Sequence, residues 1–408
     1  MISYGKQSID QSDVDAVVGV LRSDFLTQGP MVDAFERAFA QKVGVKFAVA
    51  VNSGTAALHA SMFALGIGPG DEVIVPPITF TATANCVLFV GATPVFADVT
   101  PSGHLDPNQA EQKITNKTKA LIAVDYAGMP CDYEAILAIC DRHGLSLICD
   151  ACHALGATWN GKPVGSIGPL NNFSFHPVKH IATGEGGMVT TDNPALAEKM
   201  REFRTHGITK DAAKFMGLEQ GADGGDRFQS SSFIPQRSSL SEQGAWYYEM
   251  HDLGYNYRMS DINAALGVSQ LKKLDQFVAR RREIAAKYYE ALRGIPHLKL
   301  PVSDMHPGGE CHVSISSFHL FPALIDYKAL GKSRTQVMTE LRSRGIGTQV
   351  HYIPVCLQPY YRRRLGTAAG QFPAAEHFYQ RELSIPVYPA MSDEDIQTVI
   401  DGLHEVMG

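Results

Sequence analysis

Apolar positions recur first at helical spacing. Val14, Val17, Val18 and Leu21 follow i, i+3, i+4, i+7 and predict a helix with one apolar face. Pro30 suits a helix start, and Val32, Phe35, Phe39 and Val43 then share one face of a second helix. From there the period changes. The runs FAVAV (47–51), EVIVP (72–76), PVFADV (94–99), KALIAV (119–124), LSLICD (145–150), NFSF (172–175) and GMVTT (187–191) read as strands, mostly separated by helix-length segments. Near-continuous apolar strands alternating with helices imply an α/β chain, its central sheet mostly parallel with helices on both faces.

Residues 217–244 shift to Gly, Ser and Gln with little periodicity and read as a long surface insertion. Helical patterning resumes over 260–292, where Ser260 is an N-cap candidate and Ile262, Ala265 and Leu266 share a face. This stretch reads as one long helix leading into a smaller C-terminal α/β domain. A chain of 408 residues exceeds the size at which single cores stop growing. The expected division is a large domain over 1–260 and a second unit over 261–408.

Hydrophobic content of 45% with 19% charged residues suits a soluble globule, and a formal charge of -6 gives no electrostatic reason to expect nucleic acid or an anionic membrane. Arg362, Arg363 and Arg364, after Tyr360 and Tyr361, read as a solvated loop rather than a phosphate-gripping patch. The start MISYGKQSIDQ has no basic leader with an apolar stretch, and no run approaches the ~18 apolar residues of a membrane span, so a cytoplasmic protein is expected. Seven cysteines, an odd number, argue for reduced thiols.

Cys149, Cys152 and His153 have the C-x-x-C-H spacing of a c-type haem attachment site. The run LSLICD argues against it: a buried strand ending at Asp150 is no exposed haem site, and its cysteines look like small core residues. No metal site is expected. In such sheets ligands gather at the carboxyl ends of strands, where Asp150 lies. Asn52-Ser53-Gly54-Thr55 follows FAVAV and opens a helix, either an anion cradle or simply a capped helix. Asp150 is either a helix cap or a buried carboxylate with a partner. Lys179, in SFHPVKHIATGEGG, is either a surface charge or an amine desolvated for Schiff-base chemistry. The aromatic loop GYNYRMSD (254–261) precedes the helix at 260.

Together these suit pyridoxal 5'-phosphate (PLP, or PMP when aminated), which needs an anion cradle, a lysine, a carboxylate at its ring nitrogen and a stacking side chain, available in Phe80. NSGTAAL, GDEVIVPPITFTATAN, DACHALGA, SFHPVKHIATGEGGMVTT and LGYNYRMSDINAALG, in this order, resemble the DegT-family sugar aminotransferases, PLP enzymes of fold type I. The resemblance covers roughly residues 10 to 400. SFHPVKHIATGEGG, WYYEMHDLGYNYRMSD and HYIPVCLQPYY are most similar to the pseudaminic acid branch, the UDP-4-amino-4,6-dideoxy-N-acetyl-β-L-altrosamine transaminases. The insertion at 217–244 departs from the family pattern.

The resemblance implies roles residue by residue. Lys179 matches the cofactor-bearing lysine and Asp150 the partner of the ring nitrogen. Gly54, Thr55 and Ser174 match phosphate ligands, Phe80 the stacking aromatic, and His153 a position beside the ring. Asn256 matches a residue reaching the phosphate from a neighbouring subunit, which implies a homodimer with shared active sites. The implied substrates are L-glutamate and a UDP- or dTDP-linked 4-keto-6-deoxy sugar. Tyr4, Lys6, Gln28, His319, His351 and Tyr352 are candidate sugar-nucleotide contacts or structural residues, and His176 could assist proton transfer. Rival readings are a related PLP sugar dehydratase, which has histidine where Lys179 stands, and a non-catalytic PLP-binding regulator.

Overall fold

The computed structural model describes residues 1–216, 246–301 and 314–408. The expected insertion at 217–244 and Cys311 lie outside them. In chain order the strands are β1 (Phe47–Val51), β2 (Glu72–Val75), β3 (Thr93–Phe96), β4 (Thr118–Val124), β5 (Ser146–Asp150), the short pair β6 (Thr158–Trp159) and β7 (Lys162–Pro163), β8 (Leu170–Ser174), β9 (Gly187–Thr191), the short pair β10 (Ile208–Thr209) and β11 (Glu249–Met250), then β12 (Leu298–Lys299), β13 (Phe321–Ile325) and β14 (Glu382–Ile385). The main sheet has the order β1-β9-β8-β5-β4-β2-β3. Within it only β9 runs against its neighbours.

Successive side chains of a strand point to opposite faces, so an unbroken apolar run feeds two layers at once. Val73, Val75, Ala120, Ile122 and Ile148 pack with Leu58, Met62 and Val87 of helices Gly54–Ala64 and Ala82–Phe89. Ile74, Leu121, Ala123, Leu147 and Cys149 pack on the other side with Ile136 and Cys140 of helix Tyr133–His143. The same alternation directs the polar end of β5. Asp150 shares a face with Ile148, while Cys149 is buried on the opposite one.

A second sheet, β12-β13-β14, is antiparallel throughout. Its apolar cluster draws on helices Leu274–Leu292, Arg334–Ser343 and Asp393–Met407 through residues such as Tyr288, Leu341 and Leu403. Among the described residues no helix is long and apolar enough to cross a membrane.

Three expectations are corrected. The stretch 260–292 is two helices, Asp261–Leu271 and Leu274–Leu292. At the break, the Lys273 ammonium contacts Asp10 and Asp13 at 2.9 and 2.5 Å. Ser260 does cap the first of the two, accepting the Asn263 N–H. The apolar stripe of helix Gln11–Leu21 is not its buried face: Asp13 and Val20 are buried, whereas Val14 and Leu21 are 45% and 54% exposed. Asp13 turns inward because it also accepts a hydrogen bond from Gln270 at 2.7 Å. Finally, Arg362, Arg363 and Arg364 are solvated but lie on helix Pro359–Leu365, which Pro359 opens.

Candidate active site

The carboxyl ends of β1, β2, β4, β5 and β8 open onto a cavity of about 440 Å³. One end of it is built by the first turn after β1. Ser53 caps helix Gly54–Ala64, its hydroxyl accepting the Ala56 N–H and its carbonyl the Ala57 N–H. The first two N–H groups of that helix, on Gly54 and Thr55, are left at the cavity wall, beside Ser174. A helix N-terminus of this kind attracts phosphate. Both glycines here are required by close approach. A Cβ on Gly54 would lie 2.8 Å from that of Ser174, and one on Gly187, paired across β9 with Val51 and Ser174, would lie 2.3 Å from the Ser53 carbonyl oxygen.

Asp150 is 6% exposed and held in one orientation. Its Oδ2 accepts from the Thr83 hydroxyl at 2.7 Å, and its Oδ1 from the Cys152 N–H at 3.3 Å. Thr79 lies 2.7 Å from Thr83 and extends this support one turn. Hydrogen bonding compensates part of the cost of burying the carboxylate.

Lys179 is half-buried and lines the same cavity. Desolvation lowers its pKa below that of free lysine, Arg281 adds to the effect, and Cys152 and Asp150 oppose it. That favours a neutral, nucleophilic amine. Three imidazoles lie close by. His153 and His319 have ring centroids 4.4 Å apart, and His180 and His319 5.5 Å. Burial pulls all three well below the ordinary histidine range. The Nε2 of His153 lies 3.1 Å from the Tyr352 hydroxyl, and its buried Nδ1 has no partner among the described residues.

Tyr4, His176, His351, Tyr352 and the 59% exposed Phe80 also line the cavity. Lys6 and Gln28 are exposed and do not. Asn256 is exposed too and lies outside this chain's cavity, its carbonyl accepting from the Asn52 amide. Thr79, Thr83 and Glu185 also line the cavity, and so does Cys152, which the sequence had placed among the small core residues. The i, i+4 threonines of ITFTAT were the only signal for the first two. The C-x-x-C-H signature does not converge, since Cys149 is in the core and Cys152 in the cavity wall. No cluster able to hold a metal occurs among the described residues.

Residues 7–404 match the DegT/DnrJ/EryC1/StrS aminotransferase family. The chain belongs to this family. It is 41% identical to the spore coat polysaccharide biosynthesis protein SpsC of Bacillus subtilis, over 100% of this chain and 97% of that protein. PseC of Helicobacter pylori, an aminotransferase involved in the biosynthesis of pseudoaminic acid, superimposes with a TM-score of 0.85 at 33% identity, covering 100% of this chain and 99% of PseC. The PMP form of Spr1654 from Streptococcus pneumoniae, a putative sugar aminotransferase by its description, gives a TM-score of 0.86 at 31% identity, covering 100% and 99%.

This sugar aminotransferase is therefore PLP-dependent, and its residues fit the cofactor. A helix end that tolerates no Cβ, a half-buried amine, a braced carboxylate and an orphaned imidazole nitrogen surround one cavity. Gly54, Thr55 and Ser174 would hold the phosphate, Lys179 the carbonyl carbon, and Asp150 the ring nitrogen.

Proposed function

We propose that this aminotransferase moves the amino group of L-glutamate to carbon 4 of a nucleotide-linked 4-keto-6-deoxy sugar, a UDP-linked N-acetyl hexosulose of the pseudaminic acid route. The observation that carries the reading is the meeting of Lys179 and Asp150 on one cavity beside the Gly54 helix end. The similarity to PseC over the whole chain supports the sugar.

Pyridoxal phosphate, when bound, supplies an electrophilic carbon for the amine and an electron sink for the carbanion. Lys179 Nζ, as a free amine, would move a proton off the donor carbon in the first half reaction and onto sugar carbon 4 in the second. Asp150 would keep a proton on the ring nitrogen, and the Thr79–Thr83 pair braces that carboxylate. Phe80, whose ring centroid lies 6.3 Å from that of Tyr352 on the cavity wall, would stack on the cofactor ring.

We further propose a homodimer in which Asn256 reaches the partner's phosphate. Exposed apolar side chains support it: Val14, Leu21, Phe25, Leu26 and Leu253 are 45–76% exposed in the single chain.

The test is purified enzyme with glutamate against UDP- and dTDP-linked 4-keto sugars, scoring amine formation. Amination of the UDP N-acetyl substrate is expected. Preference for a dTDP sugar would replace the nucleotide assignment, and no amination of any member would overturn the reading.

A further inference from the structure

Behind the cavity wall at His351 a chain of buried polar groups leads away from the site. His351 is 7% exposed, and Ser384 and Glu382 are 0% exposed. The last two stand two residues apart on β14 and so share a face of that strand. His351 Nδ1 lies 2.8 Å from Ser384 Oγ, which lies 2.5 Å from Glu382 Oε1. Glu382 Oε2 accepts the His351 backbone N–H at 2.7 Å, and the Tyr126 hydroxyl donates to the His351 carbonyl at 2.6 Å. The residue is thus pinned at its N–H, its C=O and Nδ1. Nε2 alone has no hydrogen bond among the described residues, on a side chain that lines the cavity.

A hydroxyl has one proton to give, and that couples the two ends of the chain. With Glu382 ionised, Ser384 donates to Oε1 and its lone pair accepts from Nδ1–H, so Nε2 is an acceptor. With Glu382 protonated on Oε1, the carboxyl donates to Ser384, Ser384 donates to Nδ1, and the ring proton sits on Nε2 as a donor. The imidazole stays neutral throughout, because burial first, and Lys179 next, lower it to about 3. One added proton on the carboxyl reverses every bond in the chain.

We propose that Glu382, acting through Ser384, sets whether His351 offers a donor or an acceptor to the sugar nucleotide. His351 is then a specificity-determining contact and Glu382 its positioning residue. The contact rests on the sugar-aminotransferase reading above; the relay itself rests on the three side chains alone. Burial pushes Glu382 up to about 8, opposed by the Ser384 hydroxyl, the His351 N–H and Arg334. Tyr126, Tyr327 and Tyr352 also face the carboxyl. The imidazole faces the Tyr4 ring at 5.3 Å, together with His153 and Lys179.

The experiment uses full-length holoenzyme labelled with ¹⁵N-histidine, the His351 signals being assigned by their loss in His351→Gln. In the wild type the proton should move from Nε2 to Nδ1 as the pH rises through Glu382's range. Glu382→Gln, whose amide donates to Ser384 at every pH, should stay in the Nε2–H form, and Ser384→Ala should lose the pH response. Affinity for the UDP-linked 4-keto sugar should differ about fivefold between wild type and Glu382→Gln at pH 9 and agree at pH 6. A wild-type tautomer that ignores pH, or that matches Glu382→Gln at pH 9, overturns the relay. A tautomer that responds while sugar affinity does not overturns the contact. Failure of the wild type to bind any keto-sugar nucleotide overturns the substrate reading and the contact with it.

Discussion

At the scale of single residues the proposed chemistry rests on two groups. Burial lowers the pKa of Lys179, which favours the free amine that the reading needs. Asp150 is nearly buried, and its carboxyl accepts from the Thr83 hydroxyl and the Cys152 N–H. Lys179→Ala is expected to abolish turnover and the visible absorbance of the lysine-bound cofactor; measurable turnover in a clean preparation would end the assignment. Asp150→Asn keeps the shape but not the charge. It should lower turnover by about 100-fold or more while the cofactor stays bound through Gly54 and Ser174, and equilibrium dialysis tells the two effects apart. That Asp150 and Lys179 share a cavity was legible because Asp150 ends β5 and Lys179 closely follows β8 within a specific string. Thr79 and Thr83 were not, since a threonine's value here comes from what lies opposite it, and β5 is far away in sequence.

At the scale of elements the informative case is Asp261, within the string GYNYRMSD. It is 0% exposed, and its carboxylate accepts the N–H groups of Gly29 and Met31, both at 2.8 Å. It therefore caps a helix other than its own: Pro30–Val43 starts at Gly29 with no local side-chain cap. Asp261→Ala leaves those donors unpaired and should cost about 1–3 kcal/mol, read as a lower denaturant midpoint at unchanged slope. A loss below about 0.5 kcal/mol would mean that water replaces the carboxylate. Strand positions were readable where both faces are buried, whereas the run PVFADV (94–99) overran the edge strand β3, which ends at Phe96. The break at Lys272 and Lys273 was not readable, because helical periodicity continues across it and the ion pairs that fix it come from Asp10 and Asp13.

At the scale of the molecule, buried ionisable groups set the response to pH. Burial lowers His59 to about 4 and His351 to about 3, and pulls His153, His180 and His319 down as well. Below about pH 6.5 the unfolded chain protonates these imidazoles and the native chain does not, so stability falls as pH drops toward 4. Glu382, raised to about 8, and Asp125, raised to about 7, act in the other direction. The native chain keeps those protons after the unfolded chain has released them near pH 4, so stability also falls as pH climbs toward 8. Thermal midpoints measured against pH should peak near neutrality, and a curve flat from pH 6.5 to 4 would show that the imidazoles are already charged in the native state. The proposed dimer has its own test. Leu21→Glu should shift the sedimentation coefficient to that of a monomer and reduce activity, and an unchanged dimer would place the interface elsewhere.

The sequence by itself determined the α/β layering, most strand positions and the gathering of Gly54, Asp150, Ser174 and Lys179 at one cavity, because hydrophobic period and short strings are local properties. Only the tertiary structure decided which face of helix Gln11–Leu21 turns inward, where the helix after Ser260 breaks, and that Tyr4, His319, His351 and Tyr352 line the cavity while Lys6 and Gln28 do not. Those outcomes depend on partners tens to hundreds of residues away. A buried carboxyl such as Glu382 shows why: its neighbours, not its own type, decide whether it holds a proton.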